Sequence, residues 1–378
     1  MRTPPYKRRS SPNKGAVHLA SDEIRDYSSQ PTQPVRIETG KYLVGAQVCN
    51  LWNSSSAWEK IKPFANRRPV LGWYDEADPR IIDWEIKFAL EHGIHFFMNC
   101  WYRSKNNLGK RPITAEYDHW LRGLEQSRYG DQMRFMIMWE NANDIASGVD
   151  SESDLIENLL PYWVEKYFSK SNYLVLDGKP VLSIYNIGLL VEQLGGSLPA
   201  ARAIENMRMR CIEAGFKGLI LFGQYCWGPV TERNQLMKDI GLDYSFSYHW
   251  PTFADGSTHP GAEFFGDNPD SIILAQKKCW EEQSLGAVPN IVTCSMGWDS
   301  EPWGYSCTDQ TWRLEPRDFQ RLCETARQEL DTRHGGGLES KIILLDNWNE
   351  YGEGHYIFPT EKYGFSYLEA VREAFRTV

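Results

Sequence analysis

The sequence contains eight short apolar runs, and stretches of helical character separate them. The runs are Leu43–Cys49, His95–Trp101, Arg134–Trp139, Pro180–Tyr185, Gly218–Gln224, Tyr244–Tyr248, Asn290–Ser295 and Lys341–Asn347. They are hydrophobic almost throughout and do not alternate, which is typical of parallel strands covered by helices. Eight repeats of strand and helix predict a single (β/α)8 TIM barrel with elaborated βα loops, and a doubly wound open sheet is the alternative.

The stretches between the runs carry the features that begin and end helices. Pro79–Leu90 is amphipathic, follows Asp78 as a candidate N-cap and stops shortly before Gly93. Helices are predicted on similar grounds over Asp154–Phe168, Ala200–Ala214, Pro316–Leu330 and Ser366–Phe375. These stretches would cover the outside of the barrel.

The first forty residues differ from the rest of the chain. They are polar and rich in proline, and residues 1–14 contain five basic side chains and no acid. We predict a flexible N-terminal arm over residues 1–40 and a catalytic barrel over residues 41–378. No signal peptide is visible and no apolar run is long enough to cross a bilayer, so the expectation is a soluble protein. Its localisation stays open, because periplasmic or secreted location is possible if the start is trimmed.

Composition narrows the class of function. The net charge of −9 over 378 residues argues against a nucleic-acid partner, whereas 15 Trp and 19 Tyr suit the stacking of sugar rings. The eight cysteines include no CxxC pair and no zinc-ligand spacing, so reduced structural thiols, no metal and no cofactor are expected. No phosphate-binding glycine loop, GxSxG elbow or HExxH motif appears in a suitable context.

Polar and aromatic residues collect where seven of the eight predicted strands end. In a barrel these ends and their loops form the active-site face, so they predict a pocket that binds carbohydrate; the oligomeric state stays open. The candidate substrate-binding residues are Trp101, Tyr102, Glu140, Tyr185, Gln224, Tyr248, His249, Trp298, Asn349 and His355.

Two carboxylates after the last strand are the candidate catalytic residues. Hydrolysis of a glycosidic bond needs one carboxyl group to protonate the leaving oxygen and a second to act as nucleophile or base. Glu350 and Glu353 are three residues apart, and Gly352 and Gly354 allow a turn that brings them together. Two close carboxylates raise the pKa of one of them, as a general acid requires. The alternative is that Glu350 caps a helix while Glu353 is a solvated charge.

Several motifs resemble the WbsX-like proteins of the glycoside hydrolase family 99-like group. They occur in the expected order from about Tyr42 to the C-terminus, and they are Tyr74–Pro79, His92–Phe97, Met138–Asn141, Leu160–Tyr162, Asp177–Leu182 and Asn347–Gly354. The resemblance implies a barrel that cleaves glycosides with retention of configuration and needs no metal. It also implies that Glu350 is a base that deprotonates the 2-hydroxyl of the sugar, giving a 1,2-anhydro intermediate, and that Glu353 is the acid/base.

The final motif departs from family 99 itself. That family has Asn-Glu-Trp-His-Glu-Gly followed by Thr-Gln, whereas this chain has Tyr351 and Gly352 in the middle and His355-Tyr356 after the motif. These changes weaken the link to mannose. WbsX-like proteins have also been labelled glycosyltransferases, so the alternative to a hydrolase is a glycosyltransferase in surface-polysaccharide biosynthesis. A catalytically silent sugar-binding protein ranks last, because both carboxylates are present.

Overall fold

The computed structural model describes residues 27–53, 56–114, 117–142, 147–224, 230–250, 268–304, 311–333 and 335–377. Its central feature is a sheet of parallel strands that curves into a barrel. The barrel strands are β1 Leu43–Val48, β2 Phe96–Tyr102, β3 Arg134–Glu140, β4 Lys179–Ile184, β5 Ile220–Gln224, β6 Tyr244–Phe246, β7 Val292–Ser295 and β8 Ile342–Asp346.

The strands pair in the order β6-β5-β4-β3-β2-β1-β8-β7. At the last seam a single parallel bridge joins Ser245 to Asn290, and the Ile291 amide donates to the Ser245 carbonyl at 2.7 Å. The result is a nearly closed barrel of eight parallel strands. This confirms the (β/α)8 prediction over the doubly wound sheet.

Helices connect the strands along the outside. They are α1 Ser56–Ile61, α2 Pro79–Leu90, α3 His119–Gln126, α4 Leu160–Trp163, α5 Ile187–Gln193, α6 Ser197–Glu213, α7 Val230–Asp239, α8 Pro269–Ser284, α9 Pro316–Thr332 and α10 Ser366–Phe375. Helix α4 continues on both sides as π-helical segments, Asp154–Leu159 and Val164–Phe168. Asp78 caps α2 as predicted, since its carboxylate accepts from the Arg80 amide at 2.9 Å.

Residues 27–40 lie against the outside of the barrel. The ring of Tyr27 packs edge-on against Trp84, with centroids 5.0 Å apart, and the Ile37 amide donates to the Leu90 carbonyl. This part of the predicted arm is therefore attached to α2, while residues 1–26 lie outside the described residues. Among the helices that the structure describes, none is both long enough and apolar enough to span a membrane.

Candidate active site

The two candidate catalytic glutamates lie on a short hairpin that follows β8. Asn349–Glu350 pairs antiparallel with His355–Tyr356, and residues 351–354 form the turn between these two-residue strands. The hairpin sets Glu350 opposite His355. Glu350 therefore lies in a hairpin and not at a helix cap.

Glu353 is the more accessible of the two carboxylates, and its side chain is 24% exposed. Its Oε2 accepts a hydrogen bond from the Tyr248 hydroxyl at 2.9 Å and lies 2.9 Å from Nε2 of His355. Tyr248 follows β6, so the contact joins two distant strand ends. Two polar groups from different parts of the chain thus converge on one oxygen of Glu353.

Glu350 lies deeper and is only 3% exposed. Its Oε1 accepts from the backbone amide of Gly352 at 2.9 Å. Burial raises the pKa of Glu350 to about 7, and the charge of Glu353 adds to this, while His355, Cys49 and the Gly352 amide act in the opposite direction. The pair thus has the unequal environments that acid and base roles require.

Behind Glu353, His355 and His249 both face the buried carboxylate of Asp346. Nδ1 of His249 lies 2.5 Å from Oδ2 of Asp346, and Nδ1 of His355 lies 3.7 Å from the same oxygen. Two histidines and an aspartate can hold a metal ion in principle. However, the shorter separation is that of a direct hydrogen bond, whereas two ligands of a tetrahedral zinc lie roughly 3.3 Å apart. We therefore assign the group as a relay of charged contacts, in which His249 hydrogen-bonds to Asp346 and His355 lies within ion-pair distance of the same oxygen.

The loop that follows β7 packs over the hairpin. The Asp299 amide donates to the Glu353 carbonyl at 2.6 Å, and buried Arg67 donates to the carbonyls of Asp299 and Tyr351 at 3.0 and 2.5 Å. The indole of Trp303, further along this loop, lies so close to Gly352 that a Cβ there would come within 1.9 Å of it. Arg67 and Trp303 contribute to the site although no sequence pattern singles them out.

Asn349 supports the hairpin from behind. Its side chain is fully buried: Oδ1 accepts from the Cys49 amide at 2.9 Å, and Nδ2 donates to Glu76 at 2.7 Å. Its predicted contact with substrate stays a prediction, but its amide already has protein partners. Cys49, which ends the first apolar run, also lies 3.8 Å from the Cys100 sulfur and 3.6 Å from the Tyr248 hydroxyl. Six cysteines lie in the described residues; all are buried and none forms a disulfide there.

The other candidate residues divide into two groups. Tyr185 packs edge-on against Tyr248 at 5.8 Å, and Trp298 lies over His249 and His355 at 4.6 and 5.2 Å, so both line the same region. Tyr102 is buried near Glu140 and Glu350: burial raises its pKa, and the nearby Cys100, Cys49, Glu140 and Glu350 raise it further. Gln224 ends β5 one strand away from Tyr185. Trp101 is not part of this group, because its buried indole donates to Tyr167 at 2.9 Å and packs against Trp163.

Known proteins share this architecture. The endo-α-mannosidase of glycoside hydrolase family 99 from Bacteroides thetaiotaomicron superposes with a TM-score of 0.58 at 14% identity, over 89% of this chain and 97% of that one. A protein described as glycoside hydrolase-like superposes with a TM-score of 0.66 at 18% identity, over 93% of this chain and 99% of the other. At these identities the likeness concerns the fold alone.

Sequence comparison adds the family. The uncharacterized protein WxcX of Xanthomonas campestris pv. campestris is 24% identical over 321 residues, which are 80% of this chain but only 42% of WxcX. The chain thus spans less than half the length of that relative. A family model described as Glycosyltransferase WbsX matches residues 65–371, which include the hairpin and most of the barrel. The chain therefore belongs to the WbsX family.

Proposed function

We propose that this protein hydrolyses glycosidic bonds of a polysaccharide or glycan with retention of configuration, using Glu350 and Glu353. The observation that carries the proposal is the unequal pair itself. One carboxyl group is buried and accepts from the Gly352 amide, and the other is accessible and is contacted by Tyr248 and His355, on a hairpin that follows β8 of the barrel. Active sites of such barrels lie at the carboxyl ends of the strands.

The surroundings of the pair also suit a sugar. Tyr248, Trp298 and Tyr185 supply aromatic surface beside the carboxylates, and aromatic rings stack on the apolar faces of pyranoses. The resemblance of the Asn347–Gly354 motif to glycoside hydrolase family 99 implies a route in which one carboxylate withdraws the proton of the 2-hydroxyl and the other protonates the leaving oxygen. A 1,2-anhydro sugar would then be the intermediate, and this route requires a 2-oxygen trans to the leaving group.

The test uses Glu353→Gln. Reducing-end release is screened with α-mannan, rhamnose-containing pectins and bacterial exopolysaccharides, and any substrate cleaved by the wild type is offered to the variant. We expect turnover to fall by about 10²-fold or more, while binding of the oligosaccharide product is retained. Glu361→Gln is the matched control, because Glu361 is exposed and pairs with Arg68. Near-normal turnover by Glu353→Gln would contradict the proposal.

The family description favours a second candidate, glycosyl transfer from a sugar nucleotide. Such a transferase often holds its sugar nucleotide through a metal bound by acidic residues, and Asp75, Glu76 and Asp78 are the nearest acidic cluster in this chain. These three side chains have protein partners: Asp78 caps α2, Asp75 accepts from the Ala77 amide at 2.9 Å, and Glu76 binds Asn349. Incubation with sugar nucleotides and an acceptor glycan separates the candidates. Nucleotide release that depends on acceptor, without reducing-end release from any glycan, would favour the transferase.

A further inference from the structure

His355 is a buried imidazole with a carboxylate on either side. Nε2 lies 2.9 Å from Glu353, and Nδ1 lies 3.7 Å from Asp346, whose side chain is also fully buried. A neutral imidazole has one N–H group and can direct it at only one carboxylate, whereas an imidazolium has two N–H groups and can direct one at each. Family 99 has threonine at this place in the motif, so the arrangement distinguishes this chain from that family.

The other groups around His355 favour the same charge. His249 faces Asp346 through Nδ1, and burial lowers its pKa despite that contact, so it is the neutral member of the relay. The rings of Tyr248 and Trp298 cover His355 on two sides. Burial by itself lowers the pKa of His355, but Asp346 and Glu353 outweigh it and raise the pKa to about 10.

The two glutamates face this cation unequally. Glu353 accepts from His355 and from Tyr248 on the same oxygen, whereas Glu350 accepts from the Gly352 amide and from the Cys49 thiol. A charge-assisted contact stabilises the carboxylate that makes it. When the pair carries a single proton, that proton is therefore held more easily by the buried Glu350.

We propose that His355, held by Asp346, keeps Glu353 ionised in the free enzyme, so that Glu350 is the proton donor and Glu353 the base. This rests on the proposed glycoside hydrolysis and reverses the roles that the family resemblance implies. His355 and Asp346 act as positioning residues, and the two glutamates as catalytic residues.

The protons balance over the two steps. In the first, Glu353 takes the proton of the 2-hydroxyl while that oxygen bonds to C1, and Glu350 protonates the leaving oxygen as its bond to C1 breaks. In the second, water attacks C1 and gives a proton to Glu350, while Glu353 returns its proton to the 2-oxygen. Both carboxyl groups are then in their starting states.

The charge of His355 can be measured without a substrate. The chain has eight histidines, so ¹⁵N-histidine NMR of the whole protein can be assigned with His355→Gln and with His92→Gln as a distant control. We expect both ring nitrogens of His355 to carry protons from pH 6 to 8, and Asp346→Asn to move its titration to lower pH. A neutral His355 at pH 7 in the wild type would overturn the proposal.

The division of roles is tested with leaving groups. Two glycosides of the same sugar are compared, one with a nitrophenyl and one with a sugar leaving group. Glu350→Gln should lose about 10²-fold or more in kcat/KM on the sugar leaving group and regain most of it on nitrophenyl, because kcat/KM reports the first step, in which a good leaving group needs no acid. Glu353→Gln should lose activity on both. The opposite pattern overturns the assignment. If the wild type cleaves no glycoside at all, both the proposed function and the assigned roles of the two glutamates are wrong. The NMR result still decides the charge of His355 in that case.

Discussion

At the scale of single residues, the two glycines of the hairpin serve different purposes. Gly354 has φ of +76°, and it also lies so close to the backbone of Asp299 that a Cβ would come within 2.8 Å. Only glycine adopts that conformation without strain. Gly352 has no such φ value; it lacks a side chain because the Trp303 indole occupies the space. The hairpin thus needs one glycine for the turn and one for close packing.

Gly352→Ala tests the second role. The new methyl group would overlap a rigid indole, so we expect a loss of about 1–3 kcal/mol in the free energy of unfolding. Because the turn that holds both glutamates must shift, turnover should fall by about 10²-fold. Gly215→Ala is the control: Gly215, unlike Gly352, has positive φ, and a Cβ there would meet open space, so the change should lower the melting temperature with turnover unchanged. Full activity in Gly352→Ala would show that Trp303 can move without cost.

The sequence predicts that Glu350 and Glu353 lie close together, but it does not predict the burial and the hydrogen-bond partners of each. Glu350 and Glu353 could be predicted because two glycines and a strand end limit the local geometry. Sequence could not separate Trp101 from the residues around the glutamates, because a fully buried strand is apolar on both faces and gives no pattern that tells them apart. Arg67 could not be predicted, since its partner Asp299 lies 232 positions away in the chain.

At the scale of elements, Arg67 connects three segments around the site. It belongs to the 3-10 turn Ala65–Arg67, donates to the hairpin through the Tyr351 carbonyl, and pairs with Asp299 of the loop after β7 at 2.5 Å. The guanidinium is buried, whereas Asp299 is partly exposed. Several hydrogen bonds from one planar group fix the relative positions of these segments more firmly than separate contacts would.

Arg67→Met should therefore destabilise the protein by about 1–3 kcal/mol, because the buried carbonyl of Tyr351 loses its hydrogen-bond donor. Turnover should also fall, since the loop that carries Trp303 loses its attachment to the hairpin. The adjacent Arg68→Met is the control, because Arg68 forms an exposed pair with Glu361 and such pairs contribute about 0–1 kcal/mol. Chemical denaturation and kinetics of the two variants give the comparison. Equal stabilities would show that Arg67 is not the connecting group.

Element boundaries followed the sequence closely where local chemistry specifies them. Asp78 and Pro79 begin α2, and Pro316 begins α9, at the predicted residues. Agreement is poorer at the strand ends, where β6 stops at Phe246 although its apolar run continues to Tyr248. The reason is tertiary: Tyr248 leaves the sheet and donates to Glu353 instead of continuing the strand. Differences of this kind arise at the site because contacts across the barrel override local preference.

At the scale of the whole molecule, buried ionisable groups should set how stability depends on pH. Glu350 has a pKa raised from 4.5 to about 7, and His355 one raised from 6.5 to about 10. A raised pKa stabilises the fold below the unfolded value, and that contribution is lost as pH rises through the folded value. The stabilising contribution of Glu350 is thus lost as the pH rises from about 4.5 to 7, and that of His355 is lost as the pH rises from about 6.5 to 10.

Histidines away from the site act in the opposite direction. Burial lowers the pKa of His92, of His95 and of His119, the last to about 4. Their contribution is present above pH 6.5 and is lost as pH falls through the folded values. Stability should therefore pass through a maximum near neutral pH and fall on both sides. Glu350→Gln should steepen the rise of the curve between about pH 4.5 and 7, because it removes a contribution that falls with pH in this range. His355→Gln should flatten the curve above about pH 7. Each change should reach about 2 °C or more in melting temperature. Melting curves from pH 4.5 to 10 measure this, with Glu361→Gln expected to follow the wild type. If His355→Gln keeps the alkaline slope of the wild type, the buried cation between Asp346 and Glu353 does not exist.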